Sequence, residues 1–471
     1  MVPLTKTDTG NVFNYFEEEK TGKERMLIKR AKKDILHGNI LQQMLLLFFP
    51  FLLSYFLQQI YGFVDNIVLG RFVGKEGLAA VGGSPTAIIN IINNCINGLT
   101  SAITVMVAQY YGMGNMEKVH KSVRSGMFVA VSVGAFLSAI MIVSAPVFLR
   151  LMNTPADTLN MSLTYMRLYF LSLVPYFIYM TGISILRALG DSKRPLYFVL
   201  ITAVSKIGFD LLLAGLFKMG VLGTSISTLL AHLICGIVIL VIFRYTSDIY
   251  QFSLKEFGYE KEDLKKIFSI GVPFALQSMM FAIPSTVVQK KLNDFGTDAV
   301  AAYSAYVNID NLFWCYSSAI STATITMAGQ NFGNRNIARV RKIFYWASLL
   351  EFIGAVLFGG LFYLSGDKAL RLFTSDPNVL SLSVGMLNIV ASTYFTYTFI
   401  ESVSSVCKAC GDARPIMYIA IVTICFTRIA YILFYPQSGP TYPIYAFPLS
   451  WILSSIVYAI YFFTNKKYRY R

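Results

Sequence analysis

The stretch Gln109-Tyr110-Tyr111-Gly112-Met113-Gly114-Asn115-Met116-Glu117-Lys118-Val119 recurs about 221 residues later as Gln330-Asn331-Phe332-Gly333-Asn334-Arg335-Asn336-Ile337-Ala338-Arg339-Val340, without a gap. Four further segments repeat in the same order at nearly the same offset. Arg187-Ala-Leu-Gly190-Asp191-Ser-Lys-Arg194-Pro195 answers to Lys408-Ala-Cys-Gly411-Asp412-Ala-Arg414-Pro415 with one residue deleted, and Arg150-Leu151 answers to Arg371-Leu372. Phe49-Pro50-Phe51 answers to Val272-Pro273-Phe274, and Gly74-(x)3-Leu-Ala-Ala80 to Gly296-(x)3-Val-Ala-Ala302. Ordered matches at one offset mark an internal duplication.

The duplicated unit is a set of membrane spans. The chain has 471 residues, 55% apolar and only 14% charged, where soluble proteins carry about 25% charged residues. A span needs about 20 mostly apolar residues. Uncharged stretches and those broken by one or two charges give twelve spans, at 43–69, 78–108, 125–148, 162–186, 196–217, 221–243, 267–290, 299–328, 343–364, 383–406, 416–435 and 442–463. Six spans per repeat is an even number, so both copies enter the membrane in the same orientation, which is the parallel-repeat arrangement. The fold expected is an all-α membrane protein of twelve transmembrane helices, in two six-helix lobes related by a pseudo-two-fold axis along the membrane normal. A cleft between such lobes can open to either side in turn.

Net charge is +15, and its distribution excludes a nucleic-acid surface. Of the 40 basic residues, 29 fall in the two tails and the even-numbered loops, 8 in the odd-numbered loops and 3 within spans. This bias places both termini in the cytoplasm. The organisation expected is a cytoplasmic tail at 1–40, an N-terminal lobe at 41–244, a polar cytoplasmic linker at 245–266 ending in an amphipathic helix, a C-terminal lobe at 267–464 and a second cytoplasmic tail at 465–471. No apolar run precedes the basic cluster of the first tail, so no signal peptide is expected. Residues 20–37 read either as a basic amphipathic helix on the inner leaflet or as a basic tail that orients the first span.

Ionisable residues inside spans are costly, and they face cavities or one another. The candidates here are Asp65, Lys206, Asp210, Asp310, Glu351, Glu401 and Arg428, Arg167 being the third basic residue within a span. Lys206 and Asp210 are four apart on one helix face, so they can pair; the alternative is a proton or cation site. Arg428 is the repeat equivalent of Lys206, but Val287 and Ile432 stand where a second Asp65 and Asp210 would be. Coupling chemistry is therefore expected in the N-terminal lobe alone. Asp310, beside Asn308 and Asn311, contacts either a cationic substrate or a neighbour; Glu351 has the same two readings, and Glu401 reads as interfacial. Asn90, Asn93, Asn94 and Asn97 give span two a polar face that must avoid lipid. Gln59, Tyr61, Asn94, Asn97, Asp310 and Asn311 are the expected cavity residues. Arg187 and Arg194 read as headgroup anchors, and the Gly-Asp motifs as helix stops. Cys407-x-x-Cys410 lacks a second Cys pair or a nearby His, so packing is preferred to metal binding. The sequence holds no P-loop, HExxH, zinc spacing or nucleophile elbow, so no enzyme and no catalytic residue is expected.

Together with the twelve spans, Val64-Asp65-Asn-Ile-Val-Leu-Gly70-Arg71, Ala108-Gln109-Tyr-Tyr-Gly112, Leu186-Arg187-Ala-Leu-Gly190-Asp191, Gly329-Gln330-Asn331-Phe-Gly333 and Arg428-Ile429 resemble the MATE (multidrug and toxic compound extrusion) family. The resemblance runs from about residue 38 through nearly the whole chain and looks closest to the prokaryotic DinF-like branch. It implies a plasma (inner) membrane antiporter that exports amphipathic, often cationic small molecules in exchange for H+ or Na+. A functional monomer in the lipid bilayer is expected, with no cofactor beyond the coupling ion. In relatives of that branch a cation site uses an Asp in span one, an Asn and Asp in span five and a Thr in span six. By motif these fall on Asp65, Lys206, Asp210 and Thr228, so Na+ would be held by Asp65, Asp210 and Thr228. Lys206 departs from the pattern, because an ammonium one turn from Asp210 competes with Na+. Proton coupling is the expectation that follows. The alternative function is a flippase for a lipid-linked precursor.

Overall fold

A computed structural model of the protein describes residues 35–468, except Asn153, Leu254, Glu256 and Gln437. The basic tail at 1–34 with most of its candidate amphipathic helix, Glu256 of the linker, and Arg469 and Arg471 of the second tail lie outside the described residues. Those described are helical or in connecting turns, with no strand.

The chain runs through α1 (Ile40–Val68), α2 (Lys75–Gly82), α3 (Ser84–Gly112), α4 (Met116–Leu151), α5 (Ala156–Leu171), α6 (Leu173–Ala188), α7 (Lys193–Asp210) and α8 (Gly220–Tyr245). It continues through α9 (Lys261–Asn293), α10 (Thr297–Gly333), α11 (Ile337–Leu370), α12 (Pro377–Ala391), α13 (Tyr394–Ala409), α14 (Ala413–Ala420), α15 (Thr427–Phe434) and α16 (Ala446–Thr464). Every expected span coincides with a helix or a bent helix pair. Among the described residues nine helices are long and apolar enough to cross a membrane, and counting the α5–α6 and α12–α13 pairs, bent by 47° and 51°, gives eleven. The twelfth is α10, which is 37 residues long and carries Asp298, Asn308, Asp310 and Asn311. The end of the linker is helical and leads into span seven: α9 starts at Lys261 and runs on without a break, because nothing between Lys261 and Ile267 interrupts it.

The repeated motifs explain their own spacing. The side chains of Asn115 and Asn336 accept the backbone N–H of Lys118 and Arg339, both at 3.0 Å, and so cap α4 and α11. An N-cap satisfies the N–H three residues on, hence Asn-x-x-Lys and Asn-x-x-Arg. Asn336→Ala is expected to cost about 1 kcal/mol, read as a lower midpoint of thermal unfolding in detergent. Gly190 and Gly411, at φ 84 and 79, close α6 and α13. Asp191 N bonds Leu186 O and Gly190 N bonds Arg187 O; Asp412 N to Cys407 O and Gly411 N to Lys408 O repeat the pattern. This is the double-bonded helix stop that requires a left-handed residue. Asp412 also holds the chain end, accepting from Lys467 Nζ at 2.5 Å and from the Tyr468 hydroxyl. Burial, and then the neighbouring thiols and Asp412, push the Tyr468 phenol well up, so it stays a donor.

Two apolar cores correspond to the two lobes, with one exchange. The first half of α1 (Ile40, Met44, Leu47, Phe48, Phe51) packs in the core of the second lobe, while α7 runs beside α1 from Leu46, which Ser192 meets, to Asp65, which Lys206 meets. Conversely, α9 lies along α3 of the first lobe. Each lobe therefore grips the first helix of the other. The contact of α9 with α3 is close because Gly98 and Gly271 carry no side chain: a Cβ on Gly98 would overlap the backbone of Ala275, and one on Gly271 would lie 2.8 Å from Leu99.

Candidate functional site

In the first lobe the helices bring Asp65, Lys206 and Asp210 into one ion cluster. Lys206 Nζ lies 2.6 Å from Asp65 Oδ1 and 2.6 Å from Asp210 Oδ2. The side chains of Lys206, Asp65 and Asp210 are 6%, 19% and 1% exposed, so the cluster is shielded with Asp65 at its accessible edge. The i, i+4 pairing of Lys206 and Asp210 was legible from spacing; the bridge to Asp65, 141 residues away in sequence, was not. Asp210 Oδ1 is buried with no hydrogen-bond partner among the described residues.

The backbone around the cluster is irregular. Asp65 is four residues before a π-helical turn, Leu69–Val73, and Asp210 directly precedes another, Leu211–Leu216. These two turns touch each other. Single π turns inside α-helices are rare and concentrate at functional sites. Thr228 does not reach the carboxylates: its hydroxyl donates to Thr224 O at 3.0 Å on its own helix. Its neighbour Ser227 instead donates to Lys206 O at 3.0 Å. Tyr61, one turn before Asp65, is half-buried in α1. His232, a buried group the sequence reading passed over, bonds Ser172 at 2.9 Å, at the α5–α6 bend.

The second lobe is built differently. Arg428 Nε donates to Ser450 at 2.9 Å and the guanidinium lies 4.4 Å from the Phe447 ring centroid. Among the described residues no carboxylate lies within 4 Å of it. Asp310 accepts from Trp314 at 2.6 Å and Tyr394 at 2.5 Å, so it pairs with neighbours in the lobe core. Glu351 is buried and accepts from Ser317 at 3.2 Å, its second oxygen having no partner among the described residues. The described residues hold no group of three His, Cys, Asp or Glu fit for a metal ion.

Between the lobes lies a cavity of about 370 Å³, within the range of small-molecule sites. Of the expected cavity residues it takes in Asn97 but not Gln59, Tyr61, Asn94, Asp310 or Asn311. On α1 it is Gln58 that lines it, because one residue along a helix turns the side chain by 100°. In the Asn face of α3, Asn93 Nδ2 donates to the Tyr169 hydroxyl at 3.0 Å, while Asn90 is exposed. Two side chains lie elsewhere than their sequence positions suggest. Arg187 is not a headgroup anchor: it is 8% exposed, lines the cavity and has Phe51 and Tyr55 under its guanidinium at 5.3 and 5.4 Å. Glu401 is not interfacial either: it lines the same cavity and accepts from Tyr397 and Ser405.

One end of the cavity is shut by the two repeated motifs, exchanged between lobes. Gln109 Nε2 of the first lobe donates to Ala409 O of the second at 2.7 Å, and Gln330 Nε2 of the second donates to Ala188 O of the first at 2.8 Å. Both carbonyls end a helix, where no intrahelical donor is available. A Cβ on Gly112 would overlap the Gln330 carbonyl, and one on Gly333 the Gln109 carbonyl. The Gln-x-x-Gly repeat is thus the seal between α3 and α10.

Comparison with known proteins agrees with this architecture. The family model MatE matches residues 50–212 and again residues 270–433, one copy per lobe. The probable multidrug resistance protein YpnP of Bacillus subtilis (strain 168) is 25% identical over 400 residues, 84% of this chain and 88% of YpnP. YoeA of the same organism, also a probable multidrug resistance protein, is 25% identical over 412 residues, 86% of this chain and 88% of YoeA. Among solved structures, the outward-facing conformation of a multidrug resistance MATE family transporter of the MOP superfamily superimposes with a TM-score of 0.84 at 19% identity, over 90% of this chain and 95% of that one. Members of this family are transporters, not enzymes. With one family match on each lobe and a fold of twelve spans, the chain belongs to the MATE family of multi-pass membrane transporters.

Proposed function

We propose that this chain is a proton-coupled antiporter that exports amphipathic compounds across the plasma (inner) membrane by alternating access, with both termini cytoplasmic. The sealed Gln-x-x-Gly end then faces the cytoplasm, as the basic-residue bias requires. One observation carries the choice of ion. The Lys206 ammonium is 2.6 Å from both Asp65 and Asp210, so it fills the position a Na+ bridging them would need. A cation already there repels a second one strongly in a shielded site. A proton needs no such space, and Asp210 Oδ1 is open to one.

The test is Na+ titration of the purified protein, followed by calorimetry or ²³Na relaxation, for the parent and Lys206→Asn. The parent is expected to show no saturable Na+ binding and the variant to gain it. Equal, tight Na+ binding by both would overturn the proton assignment. Transport is read in proteoliposomes under an imposed pH gradient, using ethidium as a cationic probe and cholate as an amphipathic carboxylate. Movement of either probe with the gradient supports antiport; gradient-independent lipid scrambling would indicate a flippase instead.

A further inference from the structure

We propose that the inter-lobe cavity binds an oxyanion, a carboxylate or phosphate group carried by the exported solute, held between Arg187 and Lys408 at the sealed end. The inference deepens the exporter reading and rests on it, since it takes the cavity as the seat of the transported solute. It assigns that solute a charge opposite to the one the family resemblance implies.

Arg187 is 8% exposed, yet its side chain donates to no described residue, and its Nε is buried without a partner. Among the described residues no carboxylate lies within 4 Å of it. Phe51 and Tyr55 stack at its guanidinium, but a guanidinium donates hydrogen bonds only from its edge, through five N–H groups. Leaving such a cation unpaired in a shielded site is costly unless a counter-charge arrives. Lys408 is its repeat equivalent in the other lobe, lines the same cavity and likewise has no carboxylate within 4 Å among the described residues. The duplication therefore puts on the cavity one cation from each lobe that has ring contacts but no carboxylate partner among the described residues.

The acid lining the cavity forms no ion pair with either cation among the described residues. Glu401 already accepts from Tyr397 at 2.9 Å and from Ser405 at 3.3 Å, one bond to each oxygen. The remaining wall is rich in hydroxyls, with Thr100, Ser101, Ser318, Ser321 and Thr322 among them. Such a surface suits a polar, oxygen-bearing body attached to the anion. The placement also links the site to the seal: Arg187 and Lys408 each precede the alanine whose carbonyl the opposite lobe's glutamine holds. A ligand bridging the two cations would sit directly on that seal.

The test measures saturable binding to the full-length protein in nanodiscs with three probes: cholate, undecaprenyl phosphate and ethidium. Cholate binding is expected for the parent and should weaken by about tenfold or more in Arg187→Gln and in Lys408→Gln, as loss of a charged hydrogen bond implies. Arg187→Lys should retain most of it, which a purely structural role would not give, and ethidium binding should not weaken in any of them. Binding of undecaprenyl phosphate in place of cholate keeps the oxyanion site and assigns it to a lipid headgroup. A parent that binds neither anion but still moves ethidium under a pH gradient overturns the oxyanion site and leaves the antiporter reading intact. A parent that moves no probe under that gradient overturns both. If Arg187→Gln fails to fold, Lys408→Gln and Arg187→Lys still decide.

Discussion

Asp65→Asn and Asp210→Asn are each expected to abolish pH-gradient-driven transport in proteoliposomes, to the level of empty liposomes, while the protein still folds. With both acids ionised, the Asp65–Lys206–Asp210 cluster carries one net negative charge, and taking up one proton makes it neutral. A buried site that alternates between these two states carries one proton per cycle. Either amide variant leaves one carboxylate with Lys206, a neutral pair that has no room for a proton. Removing the surplus negative charge from a shielded site does not leave an unpaired ion, so the thermal midpoint should stay close to that of the parent. Lys206→Met is the contrasting case. It strands two carboxylates that had a common partner, and breaking a buried pair by deleting one member costs about 3–5 kcal/mol. That variant should therefore melt markedly lower, and addition of Na+ should restore part of the loss. Normal transport by both amide variants would remove the cluster from the coupling step.

The fold was legible because charge is expensive in a bilayer. The long uncharged stretches, and the few charges permitted to interrupt them, fixed the span count, and the repeat fixed the lobes. The same economy marked Asp65, Lys206 and Asp210 among the few in-span charges, while the family resemblance, not their scarcity, groups the three as one site. What the sequence did not carry was helix phase and partner choice. Gln58, next to the expected Gln59, lines the cavity, and Ser227, next to Thr228, meets the Lys206 backbone; one residue along a helix decides which side chain faces a site, and a span apolar on most of its surface shows too weak a periodicity to tell. Arg187 was placed at the headgroups because it lies near a span end, but its inner end is covered by the opposite lobe. The duplication announced Gln109 and Gln330 as equivalent, yet not that each would reach across the axis. A repeat is silent on whether its contacts lie within a copy or between copies, and the exchange of α1 and α9 between lobes has the same cause.

Gly112→Ala is expected to open the sealed end. The added methyl would occupy the place of the Gln330 carbonyl, a backbone atom that cannot rotate aside, so α3 and α10 must separate before the lobes can meet. Gln109→Ala gives a milder version. It strips Ala409 O of its donor, and a buried acceptor left unsatisfied costs about 1–3 kcal/mol, enough to shift a two-state equilibrium by roughly five- to a hundredfold. The readout is already in the chain. Cys410 follows Ala409 directly and is 5% exposed. In right-side-in membrane sheets, modification of Cys410 by a membrane-impermeant maleimide, located by mass spectrometry, should be slow in the parent, faster in Gln109→Ala and fastest in Gly112→Ala. The repeat makes a second demand. Gly333→Ala, where the methyl would meet the Gln109 carbonyl, should match Gly112→Ala, because the two glycines hold one seal from opposite sides. Transport should fall in step with labelling, since a transporter that cannot close the Gln-x-x-Gly end cannot complete a cycle. Unchanged Cys410 labelling in both glycine variants would show that the Gln-x-x-Gly pair merely packs the lobes together and does not gate them.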